Sequence, residues 1–390
     1  MRNLASIRDI DPATQTVVVG AGVDLDTLLR ELFPHGLTLP VQPGTRRVTV
    51  GGAIACDVHG KNHHVAGSFG RHVDELHLLT ADGQVRVLSP EGHDAEIFWA
   101  TVGGMGLTGI VVQARLKLRR VESAYIRVRT ERAPDLSHVM ALLVEHDDAE
   151  YSVAWFDTNR KGRSAGRGIV LTGSDATREE LSPQQQQARY RLPPPRTLTV
   201  PQWNGPGLLN AVTGRVFNEA WYHSAPHHPA TRSQSAFAFF HPLDGLNEWN
   251  RLYGQPGLCQ YQLVVPMEAS SVIPRVLHEI ATRSYVSCLN VLKRLGEGTA
   301  GPMSFPMAGW TLAVDLPVRP GLGGLLDRLD ALVLDAGGRI YLAKDSRLPA
   351  RHLSQMYPRL DTFRELLERI DPEAHFDSDL ARRLGIRARL

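Results

Sequence analysis

The sequence contains little cysteine, almost no excess charge and no long apolar segment. Its three cysteines, Cys56, Cys259 and Cys288, have spacings that match neither a zinc site nor a disulfide framework, so a reducing compartment is expected. With 43 lysines and arginines against 41 acidic residues, the net charge of +2 is too small to attract nucleic acid non-specifically. We therefore expect neither a structural metal nor a nucleic-acid partner.

Membrane-spanning and secretory segments are also missing from the sequence. No run of about 18 apolar residues is present to cross a bilayer, and the first residues lack the apolar stretch of a signal peptide. The sequence therefore predicts a soluble chain that is cytoplasmic by default. Peripheral membrane contact and a periplasmic location stay open, because a lipid substrate can be collected from a bilayer surface.

What the sequence does contain is enough apolar material for two folded units. The 390 residues, 43% of them apolar, exceed the roughly 100–200 residues expected for one domain. Alternating strand and helix patterns predict an α+β class. The first strand, residues 16–22, lies so early that we expect its sheet to be begun by residues outside this chain.

The later part of the chain predicts a second sheet covered by helices. Residues 236–240 are expected to form one of its strands. A further strand at 339–343 and a helix at 351–370 are expected near the C-terminus, and periodicity alone leaves open where they pack. Residues 175–201 include four consecutive glutamines and three consecutive prolines, which predicts an exposed loop suited to act as a lid.

Three apparent motifs lack the context that their chemistry needs. Residues 104–109 spell GxGxxG, but a helix precedes them and a strand follows, the reverse of a dinucleotide-binding fingerprint. Residues 162–166 spell GxSxG within a charged loop rather than a strand-to-helix elbow. His59, His63 and His64 have no helical pattern that would present them to one metal ion.

The densest unusual run lies between Pro43 and His64. Small residues at Gly51, Gly52, Ala53 and Ala55 would let backbone N–H groups approach a phosphate or a flat ring, as a nest or a helix N-terminus does. A large anionic cofactor fits that role. A set of tight turns in an edge region explains the same composition equally well.

Ten motifs occur in one order along nearly the whole chain: PGTRRVTVGGAIACDVHGKNHH, GSFG, ATVGG, GLTGI, WFD, FHPLD, QYQ, LNV-x-K, GW and YLAKDSR. Together they resemble the family of decaprenylphosphoryl-β-D-ribose 2′-oxidases, within the vanillyl-alcohol-oxidase class of flavoproteins. The resemblance implies a noncovalently bound FAD and a two-domain, α+β FAD-linked oxidase. It places an N-terminal FAD-binding part at residues 1–122, a substrate-binding domain at 123–338, and a C-terminal part at 339–390 that returns to the flavin domain.

The resemblance also implies which residues would contact the cofactor. Gly44 and the run from Thr49 to Gly52 would line the pyrophosphate and ribityl chain, and the run from Cys56 to His59 the flavin ring. Val111 would meet the adenine end. The implied cofactor-binding residues are Gly44, Thr49, Val50, Gly51, Gly52, Cys56, Asp57, Val58, His59, Val111 and Tyr341.

Catalytic and substrate-binding residues follow from the same resemblance. Lys344, His59 and Tyr341 would be catalytic, because a fixed cation such as Lys344 stabilises the negative charge that hydride transfer leaves on a flavin. The implied substrate-binding residues are Trp155, Gln260, Gln262, Lys293 and Lys344, with Lys293 facing a lipid phosphate. Plainer interpretations are a surface lysine, a core tryptophan and glutamines on the outer face of a strand.

This chain departs from the family in two places. Family members begin with an additional flavin-binding segment, an arginine- and glycine-rich loop followed by Ser-Tyr-Gly-Asp, that is not in this sequence. We therefore expect half of the phosphate cradle to be missing. The family has asparagine and cysteine where this chain has Thr311 and Ala313, so the thiol that covalent inhibitors of the family modify is absent here.

The function implied is FAD-dependent oxidation of the ribose 2′-hydroxyl of decaprenylphosphoryl-β-D-ribose to the 2′-keto sugar. A partner short-chain reductase would then complete an epimerisation to the arabinose form for cell-wall arabinan. Two alternatives are a related FAD-linked sugar or alditol oxidase, and a flavin-free remnant that binds prenyl-phosphate sugars.

Overall fold

The fold is known from a computed structural model that describes residues 4–192, 197–202, 205 and 207–387. It contains both helices and antiparallel sheets, which confirms the predicted α+β class. Within the described ranges, no helix combines the length and the apolar composition that a bilayer crossing requires.

The first 120 residues form a five-stranded antiparallel sheet with helices packed beside it. The sheet order is β1-β2-β6-β4-β5, and β3 pairs with β7. The strands are β1 (Ile7–Asp11), β2 (Thr16–Gly20), β3 (Leu37–Thr38), β4 (Val73–Leu79), β5 (Val85–Leu88), β6 (Ile110–Lys117) and β7 (Arg119–Arg120), and the helices are α1 (Leu25–Leu32), α2 (Val50–Ala55), α3 (His63–Ala66) and α4 (Ala95–Thr101).

The opening strand is confirmed as β2, but the sequence interpretation missed the strand before it. The edge strand β1 pairs with β2 within this chain. Helix α1 follows because the Asp24 carboxylate caps its start by accepting from Thr27 N at 2.8 Å. Its leucines at 25, 28, 29 and 32 form the buried stripe that holds it to the sheet.

The GxGxxG run has a packing role. Helix α4 precedes it and β6 follows it, as the sequence predicted. A Cβ at Gly104 would lie 2.0 Å from the Ala100 carbonyl oxygen, and Gly109 has a φ of +148°. Glycine is therefore required here because the backbone turns tightly between α4 and β6.

The remaining residues form an eight-stranded antiparallel sheet in the order β12-β8-β10-β9-β15-β16-β14-β17, and β11 pairs separately with β13. The strands are β8 (Tyr125–Ala133), β9 (Tyr151–Phe156), β10 (Gly168–Asp175), β11 (Leu198–Thr199), β12 (Ala230–Ser235), β13 (Leu246–Asn247), β14 (Leu258–Val265), β15 (Asn290–Leu295), β16 (Gly309–Pro317) and β17 (Arg339–Ile340).

Helices cover this sheet and continue to the C-terminus. They are α5 (Leu136–Glu145), α6 (Pro183–Gln187), α7 (Ala211–Ser224), α8 (Ala236–Phe240), α9 (Val272–Thr282), α10 (Leu322–Asp335), α11 (Ala350–Met356), α12 (Leu360–Ile370) and α13 (Asp379–Leu384). The sequence interpretation missed α7, whose apolar residues face outward rather than toward the core.

Three expectations for this half are wrong. Residues 236–240 form helix α8 instead of a strand, because the Ser235 hydroxyl caps Ala238 N at 3.3 Å and a short apolar run fits either structure. The expected strand at 339–343 ends at Ile340 and turns into a 3-10 helix. The expected helix at 351–370 is divided because Tyr357, which precedes a proline, leaves the helical region.

The expected loop at 175–201 is shorter than predicted. It holds a 3-10 helix at Arg178–Glu180, the five-residue α6 and the two-residue β11. Its three consecutive prolines lie outside the described residues. A lid role for this segment therefore stays a prediction.

The two sheets are joined by a buried carboxylate. Asp244, in a 3-10 helix at Pro242–Gly245, accepts from the Thr45 hydroxyl and from Arg46 N, both at 2.8 Å. The Arg46 guanidinium lies 3.5 Å from the same carboxylate and also binds Asp26. The loop before α2 is thereby fixed to the second half of the chain.

Replacing Asp244 with alanine should lower the free energy of unfolding by about 2–4 kcal/mol, because buried donors of Thr45 and Arg46 lose their partner. Urea unfolding measures the change. The control is Asp327→Ala, which removes an exposed ion pair with Arg347 and should cost less than about 1 kcal/mol. Equal effects of the two substitutions would show that Asp244 does not join the halves.

Candidate active site

One face of the eight-stranded sheet carries most of the predicted substrate-binding residues. Residues opposite one another across neighbouring strands share a face, and the side chains along each strand alternate. The opposed pairs on this face are Gln260 with Asp315, Gln262 with Ala313, Lys293 with Thr311, and Trp155 with Val291. Gln262 is only 3% exposed, so an outer, solvated face is excluded for it.

His59 meets this face through Gln262. The Gln262 amide nitrogen lies 2.9 Å from His59 Nε2 and 3.1 Å from the Thr311 hydroxyl, to which it donates. Nε2 is therefore the accepting nitrogen and the ring proton lies on Nδ1. Burial lowers the pKa of His59 well below its usual value, and Lys293, His63 and Lys344 lower it further. The ring is neutral, and its buried Nδ1 has no hydrogen-bond partner among the described residues.

Tyr341 joins the C-terminal segment to the run that contains His59. Its hydroxyl donates to the Cys56 carbonyl at 3.0 Å, and its backbone N–H donates to the Gln262 carbonyl at 3.0 Å. The ring stacks on Phe305 with centroids 4.5 Å apart and lies 5.4 Å from the His59 ring. Burial raises the pKa of Tyr341 well above its usual value, so the phenol remains a donor.

Lys344 lies three residues after Tyr341, and the turn that follows Lys344 fixes its position. It ends a 3-10 helix, Leu342–Lys344, directly after β17. Asp345 fixes the turn by accepting from Arg347 N at 3.0 Å, Leu348 N at 2.8 Å and the Arg383 guanidinium at 2.6 Å. Lys344 lines a small cavity with Gln260 and Gln262, so it is not a free surface lysine.

Three lysine amines lie near the Asp315 carboxylate. The other carboxylates described nearby, Asp57, Asp330 and Asp345, are already bound by hydroxyls or arginines. Burial lowers the pKa of Lys293 to about 7, and repulsion from Lys344 acts in the same direction. Burial also lowers the pKa of Lys61 to about 7, and repulsion from Lys293 adds to this effect. The pKa of Lys344 is lowered to about 8, mainly by burial, while Asp315 opposes the change. Burial raises the pKa of Asp315 to about 6 against the effects of Gln260 and Lys344. The site therefore has an excess of positive charge.

Hydrogen bonds fix these charged groups in place. The Lys293 amine donates to the Gly60 carbonyl at 3.3 Å, and the Lys61 amine donates to the Phe239 carbonyl. Asp315 Oδ1 accepts from the Gln260 amide at 2.6 Å, whereas Oδ2 has no partner within the described ranges. Asp315, Lys61 and Phe305 were missed from the sequence. Only Asp315 had a signal, because it continues the alternation of Thr311 and Ala313 along β16.

Asp57 has an internal structural role that its motif did not reveal. One carboxylate oxygen accepts from Gly70 N at 2.9 Å, and the other accepts from the hydroxyls of Thr299, at 2.9 Å, and Ser304. The residue adopts a φ of +40° at the end of α2. Its side chain therefore ties the loop at 299–304 to the His59 run, and a cofactor contact by Asp57 stays a prediction.

The start of α2 differs from the anion-binding terminus that its small residues suggested. Val50 N donates to the Val23 carbonyl, Gly51 N to the Ala21 carbonyl, and Gly52 N to the Thr49 hydroxyl. The helix-terminus explanation is wrong for these donors, because all three are bound within the chain. Assignment of Thr49 through Gly52 to the cofactor site stays a prediction that rests on their position.

The other predicted cofactor residues lie in different surroundings. Val58 is buried directly before His59, and Cys56 packs beside Tyr341. Gly44 is exposed, with open space where a Cβ would lie. Val111 is buried in the core on β6. The three histidines of the run diverge: His63 accepts from Gly296 N, whereas His64 contacts the Ala149 carbonyl.

Comparison with known proteins supplies the family. A model of the FAD binding domain matches residues 1–89. A decaprenylphosphoryl-β-D-ribose oxidase of Mycolicibacterium smegmatis is 44% identical over 99% of this chain and 84% of its own length. The chain belongs to this oxidase family. It is thus an FAD-dependent oxidoreductase with the expected two-part oxidase fold.

More distant relatives are consistent with this membership. An uncharacterised protein of Streptomyces coelicolor is 39% identical over 93% of this chain and its own full length. An alditol oxidase from a Streptomyces species is 28% identical over 96% of this chain and 82% of its own length.

The residues present fit FAD. The cofactor is anionic, and the Lys293 and Lys344 amines are near enough to His59 to lower its pKa. The rings of Phe305 and Tyr341 also lie beside His59 and could pack against a flat heterocycle. The buried Nδ1–H of His59 is a donor that needs an acceptor. Contact of His59, Tyr341 and Lys344 with the flavin stays a prediction.

The FAD-free protein should become more stable as pH rises from 7 to 8.5. The folded-state pKa values of Lys61 and Lys293 lie near 7, below the unfolded value of 10.5, so the unfolded chain binds more protons in this window. Each amine adds on the order of 1 kcal/mol per pH unit. Denaturant unfolding at several pH values measures the slope.

The double variant Lys61→Met/Lys293→Met should show a smaller change of unfolding free energy with pH. The control Lys117→Met changes a lysine that is 52% exposed and should leave this pH dependence unchanged. A wild-type slope that the double substitution does not alter would contradict the burial of these charges.

Proposed function

We propose that this protein oxidises the ribose 2′-hydroxyl of decaprenylphosphoryl-β-D-ribose to the 2′-keto sugar. The observation that carries the proposal is the face of the sheet shared by Gln260, Gln262 and Lys293, with His59 and Lys344 against it. The name of the Mycolicibacterium relative supplies the substrate. A polar sheet face with unbalanced amines suits a sugar that carries a phosphate.

Binding of the lipid phosphate is assigned to Lys293, with Lys61 in support. A lysine amine acts on a phosphate as a point charge, and an anion would restore the normal protonation of amines whose pKa burial has lowered. Gln260 and Gln262 are assigned to the sugar hydroxyls. Trp155 donates to the Cys288 carbonyl at 2.9 Å, which leaves its ring to pack against the substrate.

The chemical step places different demands on each catalytic residue. FAD, when bound, would supply the acceptor for the hydride of C2′, and the proton of the 2′-hydroxyl would pass to the Asp315 carboxylate, whose Oδ2 has no partner within the described ranges. Lys344 keeps a positive charge where negative charge develops, and Asp315 helps to keep it protonated. His59 donates from Nδ1 in an orientation that Gln262 fixes. The Tyr341 hydroxyl holds the backbone at Cys56 in position.

The domain boundaries are part of the proposal. Residues 1–122 and 339–390 would form the flavin-binding unit, and residues 123–338 the substrate-binding unit. The ion pair of Arg369 with Glu96 and the bond from Arg387 to the Leu107 carbonyl support the return of the C-terminal part. Its first strand, β17, nonetheless pairs with β14 of the larger sheet.

A 2′-keto product calls for a second enzyme. Reduction of the ketone from the opposite side would give the arabinose epimer, so we assign the partner role to a short-chain reductase. A lipid substrate also implies work at a bilayer surface, on either the cytoplasmic or the periplasmic side.

Purified protein supplied with FAD should show flavin absorption bands and convert decaprenylphosphoryl-ribose to a ketone. The comparison substrate is a soluble alditol, because one relative is an alditol oxidase. Faster turnover of the alditol would show that the protein is a sugar or alditol oxidase rather than an oxidase of the lipid-linked ribose. Lipid binding without flavin bands would identify a flavin-free binding protein.

Lys344→Met should slow substrate-dependent flavin reduction by about 10²–10³-fold, the usual effect of losing one charge-stabilising group. In the wild type the rate should fall as pH rises through the pKa of Lys344, which is about 8 in the ligand-free protein and is raised by bound anions. Asp315→Asn should move this fall to lower pH, and Lys344→Arg to higher pH. Stopped-flow absorbance measures the rates, and an unshifted profile in both variants would exclude Lys344 as the titrating group.

A further inference from the structure

Helix α7 exposes a broad apolar face. Val212 is 67% exposed and Val216 is 64% exposed, and they stand one helical turn apart. Phe217 and Trp221, exposed by 45% and 46%, stack with their rings nearly parallel at an angle of 6°. Four large apolar side chains on one helix are more than scattered surface hydrophobics, and they mark a contact surface.

An adjoining face of α7, formed by Gly214 and Asn218, is packed against the second half of the fold. A Cβ at Gly214 would lie 2.4 Å from the Val286 side chain, so the helix approaches that segment closely. The Asn218 amide donates to the Asp157 carboxylate and to the Ser287 carbonyl, both at 3.0 Å. Phe217 and Trp221, three residues after Gly214 and Asn218, therefore lie along the edge of the packed face, whereas Val212 and Val216 point away from it.

The charge around α7 is positive. Glu219 is the one acidic residue of the helix, and it is bound by the guanidinium groups of Arg160 and Arg167. Arg215 is exposed on the helix itself, and the loop that carries Arg160 adds exposed Lys161. An apolar helix face containing an exposed tryptophan and bordered by cations is suited to the interface of an anionic bilayer.

The helix also lies beside the proposed substrate pocket. Its inner face packs on Ser287 and Cys288, and the Cys288 carbonyl accepts from the Trp155 indole. The outer face of α7 is therefore about one helix diameter, about 10–12 Å, from the segment that holds Trp155. A lipid whose sugar lies at Trp155 would have its prenyl chain near this face.

We propose that α7 docks the protein on anionic bilayers, with Val212, Val216, Phe217 and Trp221 entering the interface. The inference rests on the proposed function in so far as the substrate is a membrane lipid. Docking would deliver the substrate from the bilayer to Trp155 without a spanning helix. The partner is a lipid surface, and a second copy of this chain is an outcome that the test separates.

The test compares three forms of the FAD-loaded protein: wild type, Phe217→Ser with Trp221→Ser, and Val85→Ser with Val87→Ser. The last pair is a matched control, because both valines are more than half exposed on β5, away from α7. Sedimentation uses vesicles of phosphatidylcholine alone or with an equal amount of phosphatidylglycerol. Flavin absorbance and circular dichroism verify that each form is folded.

The wild type and the control should bind the phosphatidylglycerol vesicles, less strongly at high salt, and the α7 variant should lose about tenfold or more of this affinity. Turnover of a short-chain, water-soluble prenylphosphoryl-ribose should be equal in all three. No vesicle binding by the wild type, or equal binding by the α7 variant, would overturn the proposal. The proposal would also be overturned if light scattering showed a wild-type dimer that the α7 substitutions dissociate, while vesicle binding stayed the same.

Failure of the proposed function gives a different result. In that case no form oxidises either the short-chain or the vesicle-borne substrate, whereas vesicle binding is still decided by the sedimentation comparison.

Discussion

The exclusion of water from three lysine amines is the constraint on which the rest of the site depends. Lys61, Lys293 and Lys344 lie close to one another, and among the described residues Asp315 opposes the lowering of the pKa of Lys344, while Asp57, Asp330 and Asp345 are bound to other groups. Charged groups held out of water are costly unless they are paired. Burial of these amines therefore destabilises the ligand-free fold. Bound anionic ligands would supply the missing opposite charges and remove this penalty.

Burial beside the lysine amines also determines which groups of the site are uncharged. His59 is uncharged because the lysines and burial both oppose its protonation, and so it can act as a fixed donor. Gln262 orients it, and Thr311 orients Gln262 by accepting one of its amide protons and donating to the Leu263 carbonyl at 2.9 Å. Thr311 stands where the family has asparagine, so a hydroxyl performs this positioning here. Ala313 leaves this part of the face without a thiol.

Much of the fold and the family could be predicted from the sequence because the informative signals are local. The short apolar runs around Gln260 and Trp155 fit buried strands, and the motifs of the His59 run and of Lys344 are short and contiguous. The predictions that proved wrong concern segments whose structure depends on contacts with distant residues. Residues 236–240 were misassigned because an apolar run fits both helix and strand, and Ser235 and the buried packing select the helix.

In the site, too, the sequence identified short motifs but not the hydrogen-bond partners that lie elsewhere in the chain. Asp57 belongs to a recognised motif, yet its carboxylate binds Thr299 and Ser304, more than two hundred residues away. The donors at the start of α2 are bound by carbonyls of the preceding loop, which no composition could reveal. Helix α7 was overlooked because its apolar residues face solvent rather than the core.

The most direct test of the account is the ionisation of the buried amines. The protein can be labelled with ¹³C at lysine Cε and titrated by NMR, with Lys293→Met and Lys344→Met variants to assign the signals. The account predicts that Lys293 titrates near 7 and Lys344 near 8 in the protein without ligands, and that a short prenyl phosphate raises both. Titration of both amines at the ordinary lysine value of about 10.4, unchanged by the phosphate, would contradict it.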